Sequence, residues 1–298
     1  VVAVIRKGGV NVLTHLSLFS GIGGIDIASE WAGFTTVGQC EWADYPTKVL
    51  EKHWPDVPRW RDIRELTYDK FVERTGIRTV NLISGGDPCQ PHSLANKSRK
   101  GTKDERFLWP ELLRLIKEFR PNWVVNENVA GSISNGVVFK KVSDLEQEGY
   151  YCTVFSVPAF AVGAWHFRQR VFIIANADSI RLRGRENARS FPEVWKNYEE
   201  QLEGLYQAYT RYPYSESKPQ EDTTFNPIGE KWNTWKDIAR ELGGALPRTY
   251  WTLSKPPIPG VDDGLSNRVE RSECLGNAVV PQQVYPILKA IAEIERGG

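Results

Sequence analysis

A cysteine stands between two prolines in Pro88-Cys89-Gln90-Pro91, after an apolar run and a double glycine, Val80-Asn81-Leu82-Ile83-Ser84-Gly85-Gly86-Asp87. This order describes a strand that ends in a sharply bent loop with a thiol at its tip. The C-terminal ends of strands are where open α/β sheets hold their ligands. A structural cysteine is a small hydrophobe inside a packed element, whereas a thiol on a Gly/Pro loop is placed to be a nucleophile. Taken alone, the tetrapeptide leaves both readings open. A second strand-like run, Asn122-Trp123-Val124-Val125-Asn126, ends in Glu127-Asn128-Val129. A third, beginning at Leu13, leads through Phe19-Ser20 into Gly21-Ile22-Gly23-Gly24. Glycines let a backbone approach a ligand closely, and the helix that follows offers free N–H groups. The spacing departs from GxGxxG and no Gly-Lys-Ser/Thr follows, so a phosphate-binding loop is disfavoured. Glu41 ends the next strand, twenty residues after Gly21, where an acid suits a ribose diol. Trp42 offers a ring face to an adenine, and Asp62 a carboxylate to its amino group. The competing reading is a plain β–turn–α unit with surface acids. Parallel strands that end together would set Gly21, Glu41, Cys89 and Glu127 along one rim, and a thiol, a carboxylate and a nucleoside-type pocket on one rim form a site. Arg168 and Arg170, before the strand Val171-Phe172-Ile173-Ile174, add cationic donors there or else form surface ion pairs.

The elements that must position these groups alternate. Helical spacing is read over Ile25 to Ala32, Tyr45 to His53, Leu108 to Phe119, Val137 to Glu148 and Val279 to Glu295. Strands are read over Leu13 to Phe19, Gly33 to Cys40, Val80 to Ser84, Asn122 to Asn126, Tyr151 to Val157 and Val171 to Ala175. Strand–helix alternation predicts an α/β fold with a doubly wound, mostly parallel sheet. Apolar periodicity weakens after Ala177, and Arg, Glu, Trp, Tyr and Pro dominate to about Val261. The expected division is therefore a catalytic domain from residues 1–177 plus 272–298, and a smaller irregular module over 178–271.

Of 298 residues, 41% are hydrophobic and 25% charged, which is globular composition. The four cysteines, Cys40, Cys89, Cys152 and Cys274, are far apart with no CxxC, so neither a disulfide framework nor a metal site is expected. No apolar run approaches the roughly 18–20 residues that span a membrane, and Val1 to Asn11 lacks the pattern of a secretory signal. The absence of methionine, at position 1 included, leads to the expectation that the natural start is missing or was edited. Net charge is only +1, but basic residues cluster locally. Lys97, Arg99, Lys100, Lys103 and Arg106 follow the thiol, and Arg168, Arg170, Arg181, Arg183, Arg185 and Arg189 crowd a later stretch. Such clusters suit phosphates, or are solvated loops.

Six motifs in order carry a resemblance. They are Phe19-Ser20-Gly21-Ile22-Gly23-Gly24, Glu41-Trp42, Gly85-Gly86-Asp87-Pro88-Cys89-Gln90, Glu127-Asn128-Val129, Arg168-Gln169-Arg170 and Gly276-Asn277-Ala278-Val279-Val280-Pro281. With them the chain resembles the DNA cytosine-5 methyltransferases over Leu13 to Ala175 and again from Leu275 to about Ile294. The resemblance implies the S-adenosylmethionine-dependent methyltransferase fold, and a target recognition domain over 178–271. It implies that Cys89 attacks cytosine C6, that Glu127 bonds or protonates the ring at N3, and that Arg168 and Arg170 assist. It implies a pocket for S-adenosylmethionine, left as S-adenosylhomocysteine, from Phe19, Ser20, Gly21, Ile22, Gly23, Gly24, Glu41, Trp42, Asp62, Asp87, Pro88 and Asn277. It implies a flipped cytosine in double-stranded DNA, contacted by Gln90, Ser93, Lys97, Arg99, Lys100, Lys103 and Arg106 and by Arg248, Thr249 and Arg268. For Asn277 a structural turn role competes with ligand contact. Three positions depart from the family pattern: His92 in place of the usual phenylalanine, Asp87, whose charge would oppose a thiolate if it pointed inward, and His166 in place of glutamine. A cytoplasmic bacterial or phage-borne monomer is expected, acting in restriction–modification beside a cognate endonuclease, in phage protection or as an orphan methylase. Three other readings compete: a tRNA cytosine methyltransferase on the same scaffold, a catalytically silent DNA-binding module, and a nucleotide-binding oxidoreductase.

Overall fold

The computed structural model describes residues 12–88, 107–162, 168–177 and 277–297. Seven strands form one sheet: β1 (Leu13–Leu18), β2 (Phe34–Cys40), β3 (Arg59–Trp60), β4 (Leu82–Gly85), β5 (Trp123–Val129), β6 (Tyr150–Val157) and β7 (Arg170–Ala177). Their order is β3-β2-β1-β4-β5-β7-β6. The first five run parallel, and β7 is inserted antiparallel between β5 and β6. The expected mostly parallel, doubly wound sheet is therefore present. Strand order reverses between β1 and β4, which creates a crevice beyond their carboxyl ends.

The helices are α1 (Gly24–Ala32), α2 (Asp44–His53), α3 (Tyr68–Thr75), α4 (Trp109–Phe119), the single turn α5 (Gly131–Ser134), α6 (Val137–Gln147) and α7 (Pro281–Glu295), with a 3₁₀ turn at Ala159–Val162. Alternation along the strands sorts the core into two layers. Leu82, Trp123 and Val125 face α1 and α7, while Ile83 and Val124 face the layer that holds Leu112, Leu115, Ile116, Val138 and Leu145. At the middle of the sheet His15 is fully buried, with Nε2 2.7 Å from Ser84 Oγ and Nδ1 3.3 Å from Thr36 Oγ1, and burial lowers its pKa to about 3.

Several elements, β3 and α3 among them, are too short to carry a readable hydrophobic period. Strand β3 is two residues, held by the β2 edge, with the Arg74 guanidinium 5.0 Å from the Trp60 ring centre. Helix α3 is capped by Thr67, whose hydroxyl accepts the Lys70 N–H at 3.3 Å, and stops at Gly76 in the left-handed region. One expectation is corrected. Glu127 does not end its strand, because β5 continues to Val129 and Glu127 pairs with Phe172. The antiparallel partner β7 reaches past the end of β4 and keeps the backbone extended.

The C-terminal helix α7 packs its apolar side against α1 and the sheet. Glu295, 8% exposed, accepts from Asn81 Nδ2 at 3.0 Å, Asn122 Nδ2 at 3.1 Å and Trp123 Nε1 at 3.0 Å, at the entries to β4 and β5. Glu295→Ala strands these donors away from water. We expect a loss of about 2–4 kcal/mol, read by urea denaturation. A loss below about 0.5 kcal/mol would show that α7 is held by its apolar face alone.

Candidate active site

The sheet register places the rim. Leu18 lies beside Cys40 and Gly85, and Gly85 beside Asn126. The next residue on each strand is Phe19, Glu41, Gly86 or Glu127. Four chain segments separated by long stretches thus deliver their motifs to one row.

The loop after β1 is drawn into shape by its own backbone. Phe19 and Gly21 take positive φ, 53° and 54°. The Ser20 N–H donates to Cys40 O at 3.1 Å and the Gly23 N–H to Ser20 O at 2.9 Å. Glu41 ties the loop to the end of β2: Oε2 accepts the Gly21 N–H and Oε1 the Ala43 N–H, each at 2.8 Å. Gly24 is required on steric grounds, since a Cβ there would stand 2.5 Å from Val279 O. That contact brings the segment before α7 against the glycine loop. A cleft results, lined by Phe19, Ser20, Gly21, Ile22, Glu127 and Asn277 among others. Trp42, which follows Glu41, has 70% of its surface exposed.

Glu127 is the chemical centre among the described residues. It is 8% exposed, and its carboxylate meets Arg170 Nε at 2.7 Å. Burial pushes its pKa up to about 7, against the opposing pull of Arg170, Arg168 and Lys141 and with a smaller push from Asp87. It is therefore a carboxyl group able to hold or give up a proton near neutrality. Arg168, with φ 26°, donates through its guanidinium to Ala278 O, and its own carbonyl accepts Gln283 Nε2 at 3.0 Å. Burial lowers the Arg168 pKa, Arg170 adds to that, and Glu127 opposes it.

Gly86 belongs to the site through close approach. A Cβ there would lie 2.9 Å from Glu127 Oε2. Gly86→Ala is expected to displace that carboxyl and lower kcat by about 10-fold, since misplacement of about 1 Å can cost 10²-fold. Steady-state kinetics on the purified variant would check it. An unchanged kcat would mean that the Glu127 side chain yields freely.

Other expected residues fall less centrally. The Gly23 α-carbon packs on the Trp54 ring rather than lining the cleft. Asp62 accepts the Arg64 N–H at 2.9 Å and lies 3.6 Å from the Arg64 guanidinium. Asp87, expected beside the cofactor, turns its carboxylate inward onto Lys141 Nζ at 2.6 Å, because the buried ammonium offers it an opposite charge. Pro88 is half-buried where the described backbone stops. Cys89, Gln90, His92, Ser93, Lys97, Arg99, Lys100, Lys103, Arg106, His166, Arg248, Thr249 and Arg268 lie outside the described residues, as does the module expected over 178–271.

Three residues near the site carried no reading from sequence. Asp26, fully buried below the glycine loop, accepts from Ser17 Oγ at 2.9 Å and Gln39 Nε2 at 2.8 Å, and burial pushes its pKa up to about 6. Asn126 and Lys141 form a polar knot with Asp87. The available signal for Lys141 was helical spacing, which sets it on the same face as Val137, Val138 and Leu145.

Among the described residues there is no helix long and apolar enough to cross a membrane, and no group of three or more His, Cys, Asp or Glu able to hold a metal. The family model for C-5 cytosine-specific DNA methylase matches residues 13–244. The Type II methyltransferase M.AquIA of Picosynechococcus sp. is 34% identical over 176 residues, 54% of this chain and 71% of that protein. M.FnuDI of Fusobacterium nucleatum is 33% identical over 163 residues, 53% of this chain and 45% of that protein. M.HgiCII of Herpetosiphon aurantiacus is matched over 36% of its length, so the chain spans less than half of some of its relatives. A solved structure of the Entamoeba histolytica methyltransferase EhMeth aligns at TM-score 0.57 over 95% of this chain and 98% of that one, at 15% identity, which shows a shared fold.

Proposed function

The chain belongs to the C-5 cytosine-specific DNA methylase family, and from that premise we propose that it transfers a methyl group from S-adenosylmethionine to C5 of a cytosine flipped out of duplex DNA. The observation that carries this reading is the row of Phe19, Glu41, Gly86 and Glu127, with the Gly86-Asp87-Pro88 segment leading directly to Cys89.

The cleft suits the methyl donor. At Gly21 no heavy atom stands within 4 Å of where a Cβ would be, so a ligand can lie against the backbone. Each Glu41 oxygen accepts one N–H and keeps a lone pair for a ribose hydroxyl. Trp42 presents an exposed ring for a purine. Phe19, Ser20, Ile22, Gly24, Asp62, Pro88 and Asn277 would complete the surroundings, with Gly23 shaping the loop from behind. S-adenosylmethionine supplies an electrophilic methyl group, and the protein must make C5 nucleophilic enough to take it.

Cys89 does this by nucleophilic catalysis. Its thiolate forms an S–C6 bond, and the displaced electron pair moves into the ring toward N3. Glu127, held protonated to about pH 7, donates to N3 and neutralises that charge. The resulting enamine attacks through C5. Loss of the C5 proton to a base then expels the thiolate and breaks the S–C6 bond. Arg170, with Nε 2.7 Å from Glu127 Oε1, fixes the orientation of that carboxyl group, and Arg168 braces the segment before α7. Because a paired base cannot reach a cleft of this kind, the nucleotide is flipped at a cost of a few kcal/mol. The basic residues from Lys97 to Arg106 offset part of that cost by contacting phosphate.

Methyl transfer from labelled S-adenosylmethionine to unmethylated duplex DNA tests the proposal, with tRNA alongside. Label on cytosine C5 of DNA is expected, and sequencing the product gives the site. Label on tRNA alone would move the substrate to RNA. No label on either would leave a binding module.

A further inference from the structure

We propose that Lys141 is the positioning residue of this site: its buried ammonium, bonded to Asp87 and Asn126, holds the backbone at Asp87, two residues before Cys89, and the strand that carries Glu127 in one fixed relation. The inference rests on the reading of Cys89 as the nucleophile. Lys141 Nζ lies 2.6 Å from Asp87 Oδ1 and 3.0 Å from Asn126 Oδ1. Asn126 closes the knot, donating through Nδ2 to Asp87 Oδ1 and to Gly85 O, both at 2.8 Å. The side chains of Lys141 and Asp87 are only 1% and 2% exposed.

The partners connect to chemistry through short, stiff links. Asp87 is two residues before Cys89, and Pro88 between them has a fixed φ and restricts Asp87 as well. Asn126 immediately precedes Glu127 in β5. The ammonium also lies 5.0 Å from the ring centre of Trp109, the first residue of α4. One cation therefore meets the segment before Cys89, the segment after Arg106 and the strand of Glu127. A buried ion pair is a poor way to gain stability, because desolvation offsets the attraction, and registry is its best-attested use. The pair also answers the concern raised by an acid beside the thiol. Asp87 is matched by a cation, and the two act on Glu127 in opposite directions.

Lys141→Met alone would bury an unpaired carboxylate, so the test uses Asp87→Leu with Lys141→Met, an apolar pair, and the isosteric Asp87→Asn. Melting temperature, Kd for S-adenosylmethionine, and kcat and KM on unmethylated duplex DNA are measured. So is the rate of covalent adduct formation on a duplex with 5-fluorocytosine at the methylated site. Neither residue lines the cleft, so a cooperative melt and a cofactor Kd within about twofold of the wild-type value are expected. The expected loss in kcat and adduct rate is at least about 30-fold for the double variant and about 5-fold for Asp87→Asn, with KM little moved. Wild-type kcat and adduct rate in a folded double variant would overturn the proposal. So would a parallel loss of cofactor affinity, which would mark a general structural role. If the double variant does not fold, Asp87→Asn decides by the same split. A wild-type protein that forms no adduct overturns the Cys89 reading and this proposal with it, and is told apart because the failure precedes any substitution.

Discussion

Cys89→Ser is expected to abolish cytosine methylation, lowering the rate by at least about 10³-fold while S-adenosylmethionine still binds. The reason is electronic. Cytosine C5 does not attack a methyl donor until C6 carries a nucleophile, and a serine hydroxyl near its ordinary pKa is not an adequate substitute for a thiolate. The cofactor cleft is built from the glycine loop, Glu41 and the segment before α7, so its affinity should be unchanged within about twofold. Single-turnover transfer to duplex DNA and cofactor titration would be measured on the same preparation. Methylation at more than a tenth of the wild-type rate would rule out the covalent route. Lost activity with lost cofactor binding would point to collapse of the loop instead.

Glu127→Gln carries the second large effect, a fall of about 10²–10³ in kcat. The amide keeps the shape but cannot deliver a proton to N3. The wild-type pH profile should report the same group. Glu127 is pushed up to about 7 by burial, so its protonated form is lost as pH rises through 7. The alkaline limb of kcat/KM should therefore have an apparent pKa near 7 in the wild-type and be flat over that range in the variant. Stability carries a matching signature. From the ordinary value of 4.5 to about 7 the folded state keeps a proton that the unfolded chain has released. Glu127's contribution is thus fully present below 4.5 and lost as pH rises to about 7, by up to about 3 kcal/mol. Denaturation of wild-type and variant across pH 4–8 should show the wild-type losing ground over that window. A constant difference would mean that Glu127 titrates normally.

Much of the scaffold was legible because it is written locally. The unbroken apolar runs Leu82-Ile83 and Trp123-Val124-Val125, the 3.6-residue stripe of α4 and the glycines after β1 each specify their element within a short window. The rim could be inferred too, since parallel strands with such motifs at their ends have few ways to align. What could not be read were elements lacking a period, such as Arg59–Trp60, and the true length of β5, which depends on β7 reaching beyond β4.

The sequence by itself determined the strand-and-helix alternation, the placing of a glycine loop after β1 and of Glu41 after β2, and the family resemblance. Tertiary structure decided which charges meet. It turned Asp87 onto Lys141, set Arg170 on Glu127, hid Asp26 beneath the glycine loop and placed Glu295 on Asn81, Asn122 and Trp123. Residue pattern reports a side chain's face through the backbone period. Ion pairs and burial join groups tens to hundreds of positions apart, and the desolvation that raises Glu127 exists only once the sheet has closed around it.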